Sequence, residues 1–207
     1  MSVAIFCWRP YHVFSAINMV SNNVEETKGN TTLFLYNYAN LPLLKDKLET
    51  LGLFNDIVIV EDYKGHSQYI KKICGLLFPK VALRQQVYIE SKPTYSCSIL
   101  QHNAFDKIIV TSFNTTMFEF IQLNPSAQIV LYEDGMFSYI ADEVFHALDR
   151  QYRRIKWLLK LRIQKFNIIA KYVYEPKLVV SSRYKLLALP KISDITYNAL
   201  KIAVSYN

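Results

Sequence analysis

Glycine is scarce in this chain, with only 5 in 207 residues. No Gly-x-Gly-x-x-Gly, no Walker-type Gly-Lys-Ser/Thr and no Gly-x-Ser-x-Gly elbow occurs. Such loops bring backbone N–H groups against phosphate or expose a strained serine. Without them, dinucleotide redox chemistry, nucleotide hydrolysis and serine-hydrolase chemistry lose their sequence support. Cysteine is as sparse: Cys7, Cys74 and Cys97 lack metal-type spacing and sit in or beside apolar stretches, which reads as buried thiols. No histidine pair has ligand spacing and no Asp-x-Asp motif is present, so no metal site is expected. With 7 prolines, no repeat and no low-complexity stretch, two units joined by a flexible tether are not expected. No apolar run approaches the roughly 20 residues that span a bilayer. Ser2 to Trp8 is too short for a signal segment and has no basic region before it. The expected location is cytoplasmic, which leaves the sequons at Asn30 and Asn114 as chance matches.

What the chain does have is apolar surface to bury. Hydrophobic residues make up 51% and charged residues 20%, a globular composition. The net charge of +7 is concentrated. Arg150, Arg153, Arg154, Lys156, Lys160, Arg162, Lys165 and Lys171 share one stretch without an acidic residue; removing these eight from 24 basic residues leaves 16 against 17 acidic.

The order of patterns is that of an α/β protein. Short apolar runs predict strands over Val3–Trp8, Thr32–Tyr36, Ile57–Val60, Lys107–Thr111 and Gln128–Tyr132. Helical spacing follows Pro10 from Tyr11 to about Val20, and runs over Leu41–Leu51, ending at Gly52. Gln68 to about Glu90 reads as mostly helical with breaks at Gly75 and Pro79, and Pro93–Asn103 is ambiguous. Thr115–Leu123 reads as a helix capped by Ser112 or Asn114. Strands that are apolar throughout, alternating with helices, predict a Rossmann-like parallel sheet with helices on both faces. Beyond it, a long amphipathic basic helix is expected from about Ala147 to Ala170, then a strand over Lys177–Ser182. From Lys185 onward the pattern weakens.

In such sheets ligands bind outside the carboxyl ends of the strands. Three loops qualify: Arg9-Pro10-Tyr11-His12, Thr111–Thr116 and Glu133-Asp134-Gly135. Together they offer a histidine, hydroxyls, an amide and two carboxylates, a set suited to binding and deprotonating a hydroxylated substrate such as a sugar. Adjacent residues leaving a strand point to opposite sides, so one of Glu133 and Asp134 is expected to be a base and the other structural. A carboxylate beside a second acid, partly buried, becomes a better base, and Gly135 lets the backbone turn sharply. On spacing alone the tripeptide reads first as a solvated turn after a strand. His12 is placed either to bond a ligand or to cap local backbone. Ser112, Asn114 and Thr115 either contact substrate or cap a helix. The basic helix, interrupted by Trp157, Leu161 and Ile168, suits an anionic membrane surface or a second protein layer. Nucleic acid is not expected, because no reader motif accompanies the charge.

On these residues the chain resembles the bacterial sialyltransferases of glycosyltransferase family 52 and their polysialyltransferase relatives. Cys7-Trp8-Arg9-Pro10-Tyr11-His12 is similar to the family's amino-terminal Thr-Pro turn, with Arg9 in place of threonine. Leu131-Tyr132-Glu133-Asp134-Gly135 matches its acidic-acidic-Gly motif, and the order of elements between the two agrees.

The resemblance implies a two-domain GT-B enzyme. Residues 1–145 would form the Rossmann-like acceptor-side domain, and 146–207 the basic helix and the start of a connection to a donor domain. It also implies inverting, metal-independent transfer of sialic acid from CMP-sialic acid, without a cofactor, to a sugar hydroxyl in capsule or lipooligosaccharide synthesis at the inner membrane. Asp134 would be the base and Glu133 its support, while Pro10, Tyr11, His12, Ser112, Asn114, Thr115 and Gly135 would contact substrate. The implied partners are a glycan acceptor and, where a second domain is supplied, the nucleotide-sugar donor; a homodimer is left open. The family's later His-Pro motif is absent, since His12, His66, His102 and His146 precede Val, Ser, Asn and Ala. Enzymatic activity therefore stays open beside a noncatalytic α/β binding or scaffold protein derived from a truncated transferase.

Overall fold

The computed structural model describes residues 1–36, 41–60, 104–111, 120, 121, 123–133, 135, 137–140, 167–180, 182 and 184–204. Seven strands form one sheet: β1 (Ser2–Cys7), β2 (Asn30–Tyr36), β3 (Asp56–Val60), β4 (Lys107–Val110), β5 (Gln128–Tyr132), β6 (Ile168–Val173) and β7 (Lys185–Ala188). Their spatial order is β3-β2-β1-β4-β5-β6-β7, and every pairing is parallel. Among the described residues, the bounded helices are α1 (Pro10–Ser21), α2 (Leu41–Thr50), α3 (Phe137–Ile140) and α4 (Asp194–Val204), with 3₁₀ turns at Glu25–Thr27 and Pro176–Leu178. This is a Rossmann-like α/β fold, as the alternation of apolar runs and helical spacing predicts.

After their first residues, Ser2, Lys107 and Gln128, the central strands β1, β4 and β5 are apolar because both faces of the sheet are covered. On one face Val3, Ile5 and Cys7 pack with Val13, Ala16 and Ile17 of α1, with Leu48 of α2, and with Ala199 and Ala203 of α4. On the other, Ala4 and Phe6 pack with Phe34, Phe105, Phe120 and Ile121. Aromatic rings fill that second layer: Phe6 stacks on Phe34 with centroids 4.5 Å apart and meets Phe120 edge-on at 4.8 Å. Such pairs contribute about 0.5–1.5 kcal/mol beyond the area they bury.

Local sequence explains the element ends. Pro10 has no N–H to satisfy and a φ already suited to the first helical position, so α1 begins there. After α2, Gly52 takes φ +62°, the left-handed conformation that stops a helix and favours glycine. Ser193 caps α4, its Oγ accepting the Thr196 N–H at 3.2 Å.

The structure departs from the sequence reading beyond residue 167. The helix expected from Ala147 to Ala170 does not include its last turn, because Ile168–Ala170 open β6. Lys171, the last residue of the basic stretch, is buried in the same strand, between Leu131 of β5 and Leu186 of β7. The strand expected at Lys177–Ser182 is not formed: a 3₁₀ turn occupies Pro176–Leu178, and Leu178 and Val180 are 67% and 78% exposed. With Leu178 and Val180 in solvent the run gains little from pairing, and the seventh strand lies three residues beyond that stretch, at Lys185–Ala188. Within 146–207, then, β6, β7 and α4 are parts of this same sheet and its cover. The expected helices at 68–90 and 147–166, the ambiguous 93–103, and most of 115–123 lie outside the described residues; Phe120, Ile121 and Leu123 are helical.

Candidate functional site

Strand order reverses direction between β1 and β4, since β2 and β3 lie to one side and β5, β6 and β7 to the other. Ligands of doubly wound sheets bind in the crevice outside the carboxyl ends at that reversal. The chain leaves β1 there through Trp8, Arg9 and Pro10, and leaves β4 through Thr111. Glu133 leaves β5 one strand away, and Tyr174 leaves β6 beside it.

At the start of α1, Arg9 is extended and its side chain makes no capping bond. His12 does the capping instead: the Trp8 N–H donates to its Nδ1 at 3.0 Å, while the His12 N–H donates to the Arg9 carbonyl at 2.9 Å. His12 is buried, with its ring edge-on to Tyr132 at 5.8 Å and to Tyr11 at 6.0 Å. An accepting Nδ1 fixes the tautomer with its proton on Nε2. Of the two roles open to His12 in the sequence, capping of local backbone is the one these contacts display.

Beneath the edge, Tyr132 spans the sheet. Its hydroxyl donates to the Phe6 carbonyl at 2.7 Å and lies 3.6 Å from the Cys7 Sγ. Burial pushes the Cys7 thiol up to about 12, against the weaker opposing effect of that contact. A thiol so disfavoured as thiolate is no nucleophile.

Glu133 is 7% exposed and accepts three hydrogen bonds. The Tyr11 hydroxyl donates to Oε1 at 3.2 Å; the Tyr139 hydroxyl and the Tyr174 N–H donate to Oε2 at 2.7 and 2.8 Å. The Tyr139 oxygen in turn accepts the Glu175 N–H at 3.2 Å. Burial, and then the charge of Glu133, raise the Tyr11 phenol above its ordinary range. Tyr139 is raised by burial and by its bond to the same carboxylate. Next along the chain, Gly135 has φ +67°, and its carbonyl accepts the Ser138 N–H at 3.0 Å, opening α3. The glycine of the tripeptide thus takes the left-handed conformation that favours glycine.

The structure brings Pro10, Tyr11, His12, Glu133 and Gly135 to the carboxyl side of the sheet, with Tyr11 and Glu133 in direct contact. Asp134, Ser112, Asn114 and Thr115 lie outside the described residues. Sequence reasoning missed Tyr139 and Tyr174, whose contacts with Glu133 span 6 and 41 residues. The first is an i to i+6 pairing across a turn and the second depends on β6 lying next to β5; no local pattern signals either. It named Trp8 and Thr111 only as members of a motif and a loop, without a role for either. Trp8 Nε1 and Thr111 Oγ1 flank the reversal of strand order and are buried without a hydrogen-bond partner among the described residues. Their position at strand ends was the available signal. An unmet buried polar group costs about 1–3 kcal/mol.

Among the described residues, no group of three or more His, Cys, Asp or Glu side chains could hold a metal ion, and no helix is long and apolar enough to cross a membrane. Comparisons of the chain with protein-family models, with curated proteins and with solved structures found no match.

Proposed function

We propose that this protein is a glycosyltransferase of the sialyltransferase type, moving sialic acid from CMP-sialic acid to a sugar hydroxyl. The observation that carries the reading is the parallel sheet whose order reverses between β1 and β4. It gathers the exits of β1, β4 and β5, and with them the two segments of the family resemblance, at one edge. The unmet polar atoms of Trp8 and Thr111 at that reversal support a polar ligand there.

In this reading Asp134 is the general base. It takes the proton of the acceptor hydroxyl as that oxygen attacks the anomeric carbon of sialic acid. The bond from that carbon to CMP breaks, CMP leaves with the electron pair, and configuration inverts. General-base catalysis of this kind contributes about 10² to 10⁴ in rate. Pro10 and Tyr11 at the start of α1, Ser112, Asn114 and Thr115 after β4, and Gly135 contact the acceptor, with His12 holding the Trp8 and Arg9 backbone behind them. A second domain of a GT-B enzyme would supply the donor site. The basic residues between Arg150 and Lys165 would hold the protein at the inner face of an anionic membrane.

A second reading, a noncatalytic scaffold that keeps the fold, is favoured by one observation: Glu133 spends its carboxylate on internal bonds. CMP release, measured with and without glycan acceptors, separates the two. The transferase reading predicts acceptor-stimulated release by the natural full-length protein, reduced by about 10² or more in Asp134→Asn with folding unchanged. Undiminished release in Asp134→Asn removes the base assignment. No turnover together with no CMP binding leaves the scaffold.

A further inference from the structure

Burying a carboxylate is a poor way to stabilise a fold. The cost of taking the charge out of water is several kcal/mol, and apolar replacements of buried ionic groups are often neutral or stabilising. What a buried carboxylate does well is fix geometry, because its lone pairs accept only in particular directions. Glu133 has three donors from three separate segments: Tyr11 in the first turn of α1, Tyr139 in α3, and the backbone N–H that follows β6. Tyr139 extends the tie by holding the Glu175 N–H as well. Among the described residues, each of these contacts donates to the carboxylate, the arrangement an acceptor-only anion requires. Two of the three, at 2.7 and 2.8 Å, have the short lengths of charge-assisted bonds.

We propose that Glu133 is a positioning residue, tying the first turn of α1, α3 and the exit of β6 to the end of β5 and so fixing the carboxyl edge on both sides of residue 134. Its catalytic consequence rests on the transferase reading above; the tie itself does not. Glu133 touches no substrate in this account. It acts through the segments it joins, holding the end of β5 against the starts of α1 and α3 and the exit of β6. A role confined to overall stability would loosen every strand alike, whereas a local tie loosens only what it holds.

The test uses the full chain and reads both amide hydrogen exchange and transfer. In Glu133→Ala the Tyr174 amide should exchange about ten-fold or more faster, the loss expected for one charge-assisted bond, while the amides of β1 keep their protection. The same variant should lower kcat for transfer more than it changes KM for the acceptor. Glu133→Gln, whose Oε1 still accepts two bonds, should restore Tyr174 protection and most of kcat. Wild-type protection of Tyr174 in Glu133→Ala overturns the proposal, and so does failure of Glu133→Gln to restore it. Should Glu133→Ala not fold, Tyr139→Phe decides: faster exchange confined to Tyr174 and Glu175 supports the tie, and unchanged exchange there overturns it. Absence of transfer in the wild type rejects the transferase reading, while the amide pattern still decides whether Glu133 joins these segments.

Discussion

Burial sorts the side chains of the carboxyl edge into those held by the protein and those left for a ligand. Cys7 belongs to the first group. Its thiol rises from 9.0 to about 12 on burial. A group whose folded pKa lies above its unfolded value contributes stability that is fully present below the unfolded pKa and is lost as pH rises through the folded one. Between about pH 9 and 12 the unfolded thiol has released its proton and the folded one has not, so stability falls with pH. The slope is about 1.4 kcal/mol per pH unit for one such group. Tyr11 and Tyr172, both raised chiefly by burial, add in the same direction above pH 10. Denaturant unfolding measured from pH 8 to 11 should show this decline, and Cys7→Ala should flatten the part that begins near pH 9. An identical slope in Cys7→Ala would contradict the burial argument. His12 shows the limit of residue-level reading: its place in the first turn of α1 was legible, but the bond from Trp8 depends on how the chain leaves β1.

Elements meet through polar networks as well as apolar faces. Asn18 of α1 is buried; its Nδ2 donates to the Pro190 carbonyl at 2.7 Å, and its Oδ1 accepts from Asn22 at 2.9 Å and from Thr196 of α4 at 3.4 Å. Asn22 also donates to the Thr196 hydroxyl at 3.0 Å. Asn18→Ala takes from the Pro190 carbonyl its side-chain donor and from Asn22 and Thr196 the oxygen they share, while Asn22 keeps the residue-18 carbonyl and the Thr196 hydroxyl, and should cost about 1–3 kcal/mol. A double-mutant cycle with Thr196→Ala should give a coupling of about 0.5 kcal/mol or more, since the two side chains share one network; additive losses would show that α1 and α4 are held by apolar packing alone. The five strands from Ser2 to Tyr132 were legible because each is a short apolar run buried on both faces, and α2 because Gly52 marks its end. β6 was not, because its apolar residues continue a helical spacing and Lys171 sits among them. For α4 the Ser193 cap was present, but Ile192, Ile195 and Ile202 are exposed and blur the amphipathic pattern.

At the scale of the whole molecule, one parallel sheet decides where function can lie. Both faces are covered over the central strands, so the described chain offers its carboxyl edge, where β1 and β4 diverge, as the place for a ligand. The edge itself was legible from the alternation of strands and helices. Which side chains converge there was not, because Tyr11 and Glu133 are 122 residues apart and meet only through strand order. The central claim is that this edge binds the substrates of glycosyl transfer. Its most direct test is amide hydrogen exchange of the full chain with and without CMP-sialic acid and a panel of glycan acceptors. The account predicts added protection at the amides of Trp8, Arg9, Tyr11, His12, Thr111 and Glu133, with none at the amino ends of the strands near Asn30 and Gln128. Protection confined to those amino ends, or none under any combination of donor and acceptor, would contradict it.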